Sequence, residues 1–276
     1  MNKRIIKNKI EWFFSLFVPK KVLHTNIYYL SSNQRLVGKS IIITGGGHGL
    51  GYAMAKKFKL EGAKVLIAGR NEEILKKSSE EIGCSYLVLD ITQTDSFTQF
   101  IQNAEKILGG INVLVNNAGI SLHEGDIQNV TEDSFDKQID TNLKGGYFLS
   151  KLFIKYLQDN KQCGNILFLS SERGKYADDI PYGLTKAAIN SLTRGLAMAL
   201  RKQNIRVNAV APGITATSMT GYTTDNLYMK NYSTGRCYLP EEVAEVSCFL
   251  ISDASGCLSG QVLYCDNGFS NNSYKK

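Results

Sequence analysis

From residue 39 onward, seven short runs of apolar and β-branched residues alternate with longer segments whose apolar positions recur at helical spacing. The short runs show little polar alternation, which is typical of strands buried on both faces of a parallel sheet. The predicted strands are residues 41–44, 64–68, 86–89, 112–115, 165–169, 206–210 and 261–264. The predicted helices are residues 49–61, 72–82, 95–108, 133–160, 182–203 and 240–251. This order predicts an α/β fold with a doubly wound, seven-stranded parallel sheet.

The alternating pattern runs without an internal repeat or a low-complexity linker. We therefore expect a single domain over residues 36–270, followed by a short polar tail, residues 271–276. The 35 residues before this domain follow a different pattern and are treated as a separate leader.

The leader, residues 1–35, combines aromatic and aliphatic positions at helical spacing with a cluster of basic residues. The chain carries a net charge of +7, and residues 1–21 hold +5 of it, from six Lys or Arg against the single Glu11. Residues 3–18 therefore predict a basic amphipathic helix. Its apolar face would pack on the domain or make weak contact with an anionic membrane surface, and the pattern leaves both open.

Charge and composition exclude several classes of protein. Outside residues 1–21 the net charge is only +2 (7 − 5), which argues against a nucleic-acid-binding body. No run of about 18 apolar residues occurs, so we predict no transmembrane helix. The six cysteines form no CxxC pair and the three histidines are too few for a cluster. We therefore expect no metal site, and free thiols in a reducing cytoplasm.

A glycine-rich turn, residues 44–51, lies between the first predicted strand and the first predicted helix. Glycines let a backbone turn sharply and approach a pyrophosphate closely, and the following helix offers free N–H groups at its positive end. This placement makes the turn a candidate dinucleotide site. The residues expected to contact the phosphates are Gly45, His48, Gly49, Leu50 and Gly51.

The glycine spacing TGxxxGxG is followed in order by further motifs. These are Asn116-Asn117-Ala118-Gly119 after the fourth strand, Asn142, Ser170-Ser171 after the fifth strand, Tyr182 and Lys186 in a YxxxK pattern, and Pro212-Gly213 after the sixth strand. In this set the chain resembles the short-chain dehydrogenase/reductase family over about residues 36–270. The resemblance implies a Rossmann-type fold and an NAD(P)-dependent oxidoreductase that interconverts a ketone and a secondary alcohol.

The YxxxK pattern places Tyr182 and Lys186 on one face of a helix. The lysine ammonium, together with the cationic nicotinamide ring, would stabilise the phenolate, so that Tyr182 serves as the acid or base. By resemblance, Ser171 binds the substrate oxygen and Lys186 also binds the nicotinamide ribose. Asn142 supports a water that relays protons from Lys186.

The resemblance also assigns dinucleotide contacts beyond the glycine turn. These residues are Arg70, Asp90, Ile91, Asn117, Ala118, Gly119, Tyr182, Lys186, Pro212, Gly213, Thr215 and Thr217. NAD-specific members tend to carry an acidic residue where this chain has Gly69, and Arg70 follows it. A guanidinium suits a 2′-phosphate, which favours NADP over NAD. The alternative interpretation is that Arg70 is only a solvated surface residue.

Two features concern the substrate. The interval from Ser171 to Tyr182 is slightly short for the family, and its loop carries Glu172 and Arg173, which hint at a polar substrate. Residues 219–238 contain four tyrosines that would either line the substrate site or only pack a lid. The substrate itself, a small carbonyl or alcohol compound, is not specified by these residues.

Other functions are weighed against this one. A nucleotide-sugar epimerase or dehydratase would usually carry TGxxGxxG and a longer C-terminal substrate domain. A catalytically idle dinucleotide sensor would not need the complete set of Asn142, Ser171, Tyr182 and Lys186. The apolar positions of residues 133–160 and 182–203 cover more than one helix face, so we expect a homo-oligomer, a dimer or a homotetramer.

Overall fold

The structure is a computed structural model, and it describes residue 24, residues 34–230, residue 232 and residues 234–271. The amphipathic helix predicted for residues 3–18 and nearly all of the predicted tail lie outside the described residues.

The core is a seven-stranded sheet in which every pair of neighbouring strands is parallel. The strands are β1 (Ser40–Thr44), β2 (Lys64–Gly69), β3 (Ser85–Val88), β4 (Val113–Asn116), β5 (Gly164–Leu169), β6 (Ile205–Pro212) and β7 (Val262–Cys265). Their spatial order is β3-β2-β1-β4-β5-β6-β7. The predicted doubly wound sheet is thus confirmed.

Helices cover both faces of the sheet, and each face has its own apolar core. The helices are α1 (Gly49–Leu60), α2 (Glu72–Ile82), α3 (Phe97–Leu108), α4 (Glu132–Ile139), α5 (Gly145–Asp159), α6 (Pro181–Leu200) and α7 (Pro240–Ile251). Strand β1 shows how the faces divide: Ile42 joins the core beneath α3, α5 and α6, whereas Ile41 and Ile43 join the core beneath α1, α2 and α7. Burial of both faces explains why the central strands are continuous apolar runs, whereas the edge strands β3 and β7 are only partly buried.

The predicted helix over residues 133–160 is interrupted in the structure. The π-helical turn Asp140–Lys144 separates α4 from α5. Within it the side chain of Asn142 bonds the backbone of Ile120 in both directions, with Nδ2 donating to the carbonyl at 2.9 Å and Oδ1 accepting from N–H at 2.8 Å. A wider turn inside a helix often marks a functional position.

Strand order reverses direction between β1 and β4, because the chain leaves β1 toward β2 on one side and leaves β4 toward β5 on the other. The loops at their carboxyl ends therefore part and leave a crevice, which is the usual ligand site of such sheets.

A network of buried charges holds the start of the domain against the C-terminal end of α1 and against α7. Arg35 Nη2 lies 2.6 Å from Glu61 Oε1 and 3.0 Å from Glu245 Oε2, and Lys57 Nζ lies 2.8 Å from Glu61. Hydrogen bonding from Arg35 lowers the pKa of Glu61 to about 2. Arg35, which the sequence pattern placed in the leader, is therefore part of the domain.

Replacing Glu61 by Gln keeps the size of the side chain but removes the charge that Arg35 and Lys57 share. We expect the unfolding free energy at pH 7 to fall by about 2 kcal/mol, because Arg35 and Lys57 must then share the single carboxylate of Glu245. The pKa of Glu61 is depressed, so its contribution is present above its ordinary pKa of 4.5 and is lost as the pH falls toward about 2. Urea unfolding at pH 7 and pH 3 should show the difference between the two proteins shrinking.

The control is Lys137→Ala, which removes an exposed ion pair with Asp133 (2.6 Å) on α4. Exposed pairs contribute at most about 1 kcal/mol. A loss in Glu61→Gln no larger than in this control would contradict the importance of the network.

Candidate active site

Thr44, the last residue of β1, joins the glycine turn to the loop after β4. Its Oγ1 accepts hydrogen bonds from the backbone N–H groups of Asn117 (3.0 Å) and Ala118 (3.1 Å). In return Asn117 Nδ2 donates to the carbonyl oxygens of Thr44 (2.9 Å) and Gly45 (3.0 Å). These hydrogen bonds hold the two loops of the crevice together. Thr44 is the threonine of the TGxxxGxG motif, and the sequence pattern alone assigned it no role.

The glycine turn has the shape that a pyrophosphate needs. Gly45 adopts a φ of +65°, and a methyl group at Gly51 would overlap with the Gly45 carbonyl oxygen. Helix α1 begins at Gly49, and the side chain of its N-terminal capping residue His48 makes no capping hydrogen bond. The first N–H groups of α1 are therefore available at the positive end of the helix. These residues fit a dinucleotide phosphate.

The positions proposed for the adenosine end follow the next two strands. Arg70 comes directly after β2 and is exposed, and a Cβ on Gly69 would meet only Leu75 Cδ2 at 3.6 Å. Asp90 follows β3, where its Oδ1 is held by the backbone N–H of Thr92 at 2.9 Å. Ile91 next to it is buried. The structure brings these residues to the same edge of the sheet as the glycine turn.

The segment after β6 reaches back over the glycine turn. Gly213 N–H donates to Cys265 O (3.0 Å), and the buried Thr215 donates from Oγ1 to Gly213 O (2.9 Å). Thr217 Cγ2 lies 3.6 Å from the place of a Cβ on Gly49. Thr217, from the segment after β6, therefore lies next to Gly49 of the candidate phosphate site.

The candidate catalytic side chains meet between β5 and α6. The side chains of Ser171 and Tyr182 lie side by side, close enough for the serine hydroxyl to lower the pKa of the phenol. One turn further along α6, Lys186 Nζ lies 5.5 Å from the centroid of the Tyr182 ring and donates to Leu169 O at 2.8 Å. Gly119, from the loop after β4, completes the group, since a Cβ there would stand 3.5 Å from Lys186 Nζ.

Burial controls the electrostatics of this group. It raises the pKa of Tyr182 above the ordinary value for a phenol, and the hydroxyl of Ser171 and the charge of Arg173 lower it in part. Burial also lowers the pKa of Lys186 to about 8. Within the protein alone, Ser171 and Arg173 are the groups that lower the Tyr182 pKa, and the Lys186 ammonium donates to Leu169 O. The predicted effect of Lys186, together with a bound nicotinamide ring, on the phenolate stays a prediction.

Asn142 reaches the group from the π-helical turn. Besides its two bonds to Ile120, its Nδ2 lies 3.3 Å from Thr185 Oγ1 on α6. The side chain is thus fixed between the loop after β4 and α6. Its assigned role in holding a relay water stays a prediction.

The two adjacent serines have different surroundings. Ser170 Oγ donates to Asn190 Oδ1 (2.6 Å) and also lies 3.2 Å from Lys186 O, so it is tied to α6. Ser171 Oγ accepts from the Arg173 backbone N–H (3.2 Å), and its hydroxyl acts on Tyr182 by lowering the pKa of the phenol. Of the pair, only Ser171 faces the candidate proton donor.

Glu172 does not lie where the sequence analysis expected it. Its carboxylate is buried and accepts a hydrogen bond from the Tyr232 hydroxyl at 2.6 Å. Arg173 keeps an exposed side chain, held by Asp178 through Nε (2.6 Å) and Nη2 (2.7 Å). Tyr232 and Tyr238 are also buried, so these two of the four tyrosines pack the segment rather than line an open site. The partner of Glu172 lies 60 positions away, beyond the reach of any local pattern.

Known proteins are similar to this one in sequence and in fold along most of the chain. A family model described as "Enoyl-(Acyl carrier protein) reductase" matches residues 45–270. A 3-oxoacyl-[acyl-carrier-protein] reductase of Chlamydia muridarum is 34% identical over 247 residues, covering 86% of this chain and 99% of that protein. A tropinone reductase homolog of Arabidopsis thaliana is 32% identical over 251 residues, covering 87% and 96%.

Among solved structures, the 3-ketoacyl-(acyl-carrier-protein) reductase of Brucella melitensis complexed with NADH superposes with a TM-score of 0.79 at 29% identity. The match covers 85% of this chain and 99% of that one. This chain belongs to the short-chain dehydrogenase/reductase family. The resemblance found in the motifs is confirmed, and the chain is an NAD(P)-dependent oxidoreductase acting on ketone and secondary alcohol groups.

Proposed function

We propose that this short-chain dehydrogenase/reductase is an NADP-preferring ketone reductase in which Tyr182 donates the proton. The observation that supports this most directly is the grouping of Ser171, Tyr182 and the buried Lys186, whose Nζ lies 5.5 Å from the centroid of the Tyr182 ring, at the edge of the dinucleotide crevice. Because burial keeps the pKa of Tyr182 high, its hydroxyl is protonated at neutral pH and is suited to donating a proton.

The residues that would hold the dinucleotide follow from the crevice. The glycine turn and the start of α1 would bind the pyrophosphate. Asp90 and Ile91 would bind the adenine. The loop from Asn117 to Gly119 would bind the ribose next to the nicotinamide. Pro212, Gly213, Thr215 and Thr217 take the nicotinamide amide. When bound, the dinucleotide supplies the hydride.

The chain's own groups then handle the carbonyl oxygen. Ser171 orients that oxygen by a hydrogen bond, and Tyr182 transfers its hydroxyl proton to it. Lys186 binds the ribose hydroxyls, and Asn142 holds the water through which the proton is replaced. A sensor that only binds the dinucleotide would not need this second set, and a turnover assay separates the two functions.

Tyr182→Phe removes the proton donor and keeps the ring. Turnover should fall by roughly 10² or more, as expected for the loss of a positioned general acid. Ser171→Ala should lower turnover by a similar factor of about 10², since it removes the hydrogen-bond donor to the substrate oxygen. NADPH fluorescence should show that both variants still bind the dinucleotide. The assay screens NADPH oxidation with a 3-oxoacyl thioester, cyclic ketones and, for comparison, an enoyl thioester.

Ser170→Ala is the matched control for Ser171→Ala. It removes the hydrogen bond to Asn190, so it should reduce thermal stability and leave turnover within a few-fold of the parent protein. Full activity in Tyr182→Phe, or equal turnover in the two serine variants, would refute the assignment.

Cofactor preference is tested by Gly69→Asp combined with Arg70→Gln. The space at Gly69 accommodates a side chain, with Leu75 Cδ2 at 3.6 Å. A carboxylate there accepts the ribose 2′-hydroxyl and repels a 2′-phosphate. The ratio of kcat/KM for NADPH over NADH should exceed one in the parent protein and fall at least about tenfold in the variant, which corresponds to 1.4 kcal/mol.

Lys155→Gln serves as the control, because it removes an exposed cation from α5 on the opposite face of the sheet. It should leave the ratio unchanged. A parent protein that uses NADH with the higher kcat/KM would overturn the role given to Arg70.

Self-association is the second part of the proposal. Large apolar side chains lie exposed on α5 and α6, among them Tyr147, Phe148, Leu184 and Met198. Such a surface favours contact with another copy of the chain. Light scattering at micromolar concentration should show a dimer or tetramer, and Phe148→Asp should dissociate it, whereas Ile107→Asp on α3 should not. A monomeric parent protein would contradict this.

We place the protein in the cytoplasm. In the described part of the chain, no helix is both long enough and apolar enough to cross a bilayer. Contact of residues 3–18 with a membrane surface stays a prediction, which co-sedimentation with anionic vesicles would test.

A further inference from the structure

One hydroxyl group links the turn after β5 to the segment after β6. Tyr232 Oη donates to Glu172 Oε2 at 2.6 Å and accepts from the Ile214 backbone N–H at 3.3 Å. Glu172 directly follows Ser171, and Ile214 directly follows Gly213 of the proposed nicotinamide site. The catalytic serine and that site are therefore connected through a single side chain.

Packing holds this side chain in place. Tyr232 is only 5% exposed, and its ring centroid lies 4.4 Å from that of Phe269 and 5.7 Å from that of Tyr238. The backbone of Gly213 passes so close that a methyl group there would overlap with the Tyr232 hydroxyl. Hydrogen bonds that are buried and fully formed are costly to lose, because the freed groups find no water.

The carboxylate of Glu172 also acts on the proton donor. Burial raises the pKa of Glu172, the hydrogen bond from Tyr232 lowers it, the charge of Asp266 raises it and the charge of Arg173 lowers it. Glu172 in turn raises the pKa of Tyr182 and that of the nearby Tyr176.

We propose that Glu172 and Tyr232 are a positioning pair for the reductase reaction. The hydrogen bond forms only when Tyr232 and the segment that starts at Ile214 after β6 lie against the serine turn, residues 170–175. It thereby couples the placement of the nicotinamide site to the placement of Ser171. This inference rests on the proposed function, and it gives Glu172 and Tyr232 a role that acts through Ser171 and the nicotinamide site.

The two residues contribute in separable ways. Tyr232→Phe removes the hydroxyl, and with it the link to Ile214. Glu172→Gln keeps an oxygen that can accept from Tyr232 but removes the charge. The first variant therefore tests the link, and the second tests the electrostatic effect on Tyr182.

The chain contains a matched control in Tyr156 on α5. Its hydroxyl also bridges a carboxylate and a backbone N–H, donating to Glu105 Oε1 at 3.0 Å and accepting from Ile111 at 3.4 Å. Tyr156 is buried as well, and Ile111 precedes β4 at the amino end of the sheet, away from the crevice. Tyr156→Phe thus costs the same kind of contact without touching the proposed site.

The experiment measures NADPH affinity by fluorescence and the pH dependence of kcat for the ketone that the parent protein reduces. Tyr232→Phe should weaken NADPH binding by about tenfold, the scale of one lost hydrogen bond to a charged group. Glu172→Gln should change binding less than about threefold on the same scale. Its alkaline limb of kcat should shift to lower pH, because removing the negative charge lowers the pKa of the Tyr182 hydroxyl that must stay protonated for reduction. Tyr156→Phe should reduce thermal stability alone.

Unchanged NADPH affinity in Tyr232→Phe together with an unchanged pH profile in Glu172→Gln would overturn the pairing, whatever the loss of stability. If Tyr232→Phe does not fold, the nearly isosteric Glu172→Gln decides through its pH profile. A parent protein that binds NADPH but reduces no ketone would refute the proposed function instead, and the affinities of the two variants would still decide the link.

Discussion

The close approach of two backbones at the carboxyl ends of β1 and β4 is the constraint on which the site depends. A Cβ on Gly45 would stand 3.0 Å from Ala118 Cα in the loop after β4, and a Cβ on Gly51, in the first turn of α1, would overlap with the Gly45 carbonyl oxygen. Thr44 and Asn117 then satisfy the polar backbone groups that this approach buries. The same contacts that close the sheet at its switch point therefore leave the N–H groups of α1 facing outward, where an anion can reach them.

Much of this architecture could be predicted because it rests on local patterns. The apolar run around Ile42 and the glycine spacing after it place a strand, a turn and a helix in order, and burial on both faces leaves few other folds. The spacing of Tyr182 and Lys186 defines a helix face in the same way. Each of these patterns is formed by residues that lie within a few positions of one another in the sequence.

What could not be predicted depends on partners far along the chain. Glutamate is usually a surface residue, and Glu172 is buried here because its carboxylate accepts a hydrogen bond from Tyr232. The π-helical turn at Asn142 has hydrogen bonds one residue longer than those of an α-helix, a difference too small for hydrophobic spacing to reveal. Within this turn Asn142 contacts Ile120, which is distant in the sequence. Arg35 was grouped with the basic leader since only the folded domain shows the two carboxylates that it bridges.

The position of Arg35 bears on where this domain can be cut. Its guanidinium lies just ahead of the first strand and neutralises Glu61, which is 0% exposed. A protein shortened to residue 36, the boundary suggested by hydrophobicity, would omit the guanidinium and leave the buried Glu61 with Lys57 alone of these two cations. Fusion partners and affinity tags therefore belong upstream of residue 34, so that Arg35 keeps its ion pairs with Glu61 and Glu245.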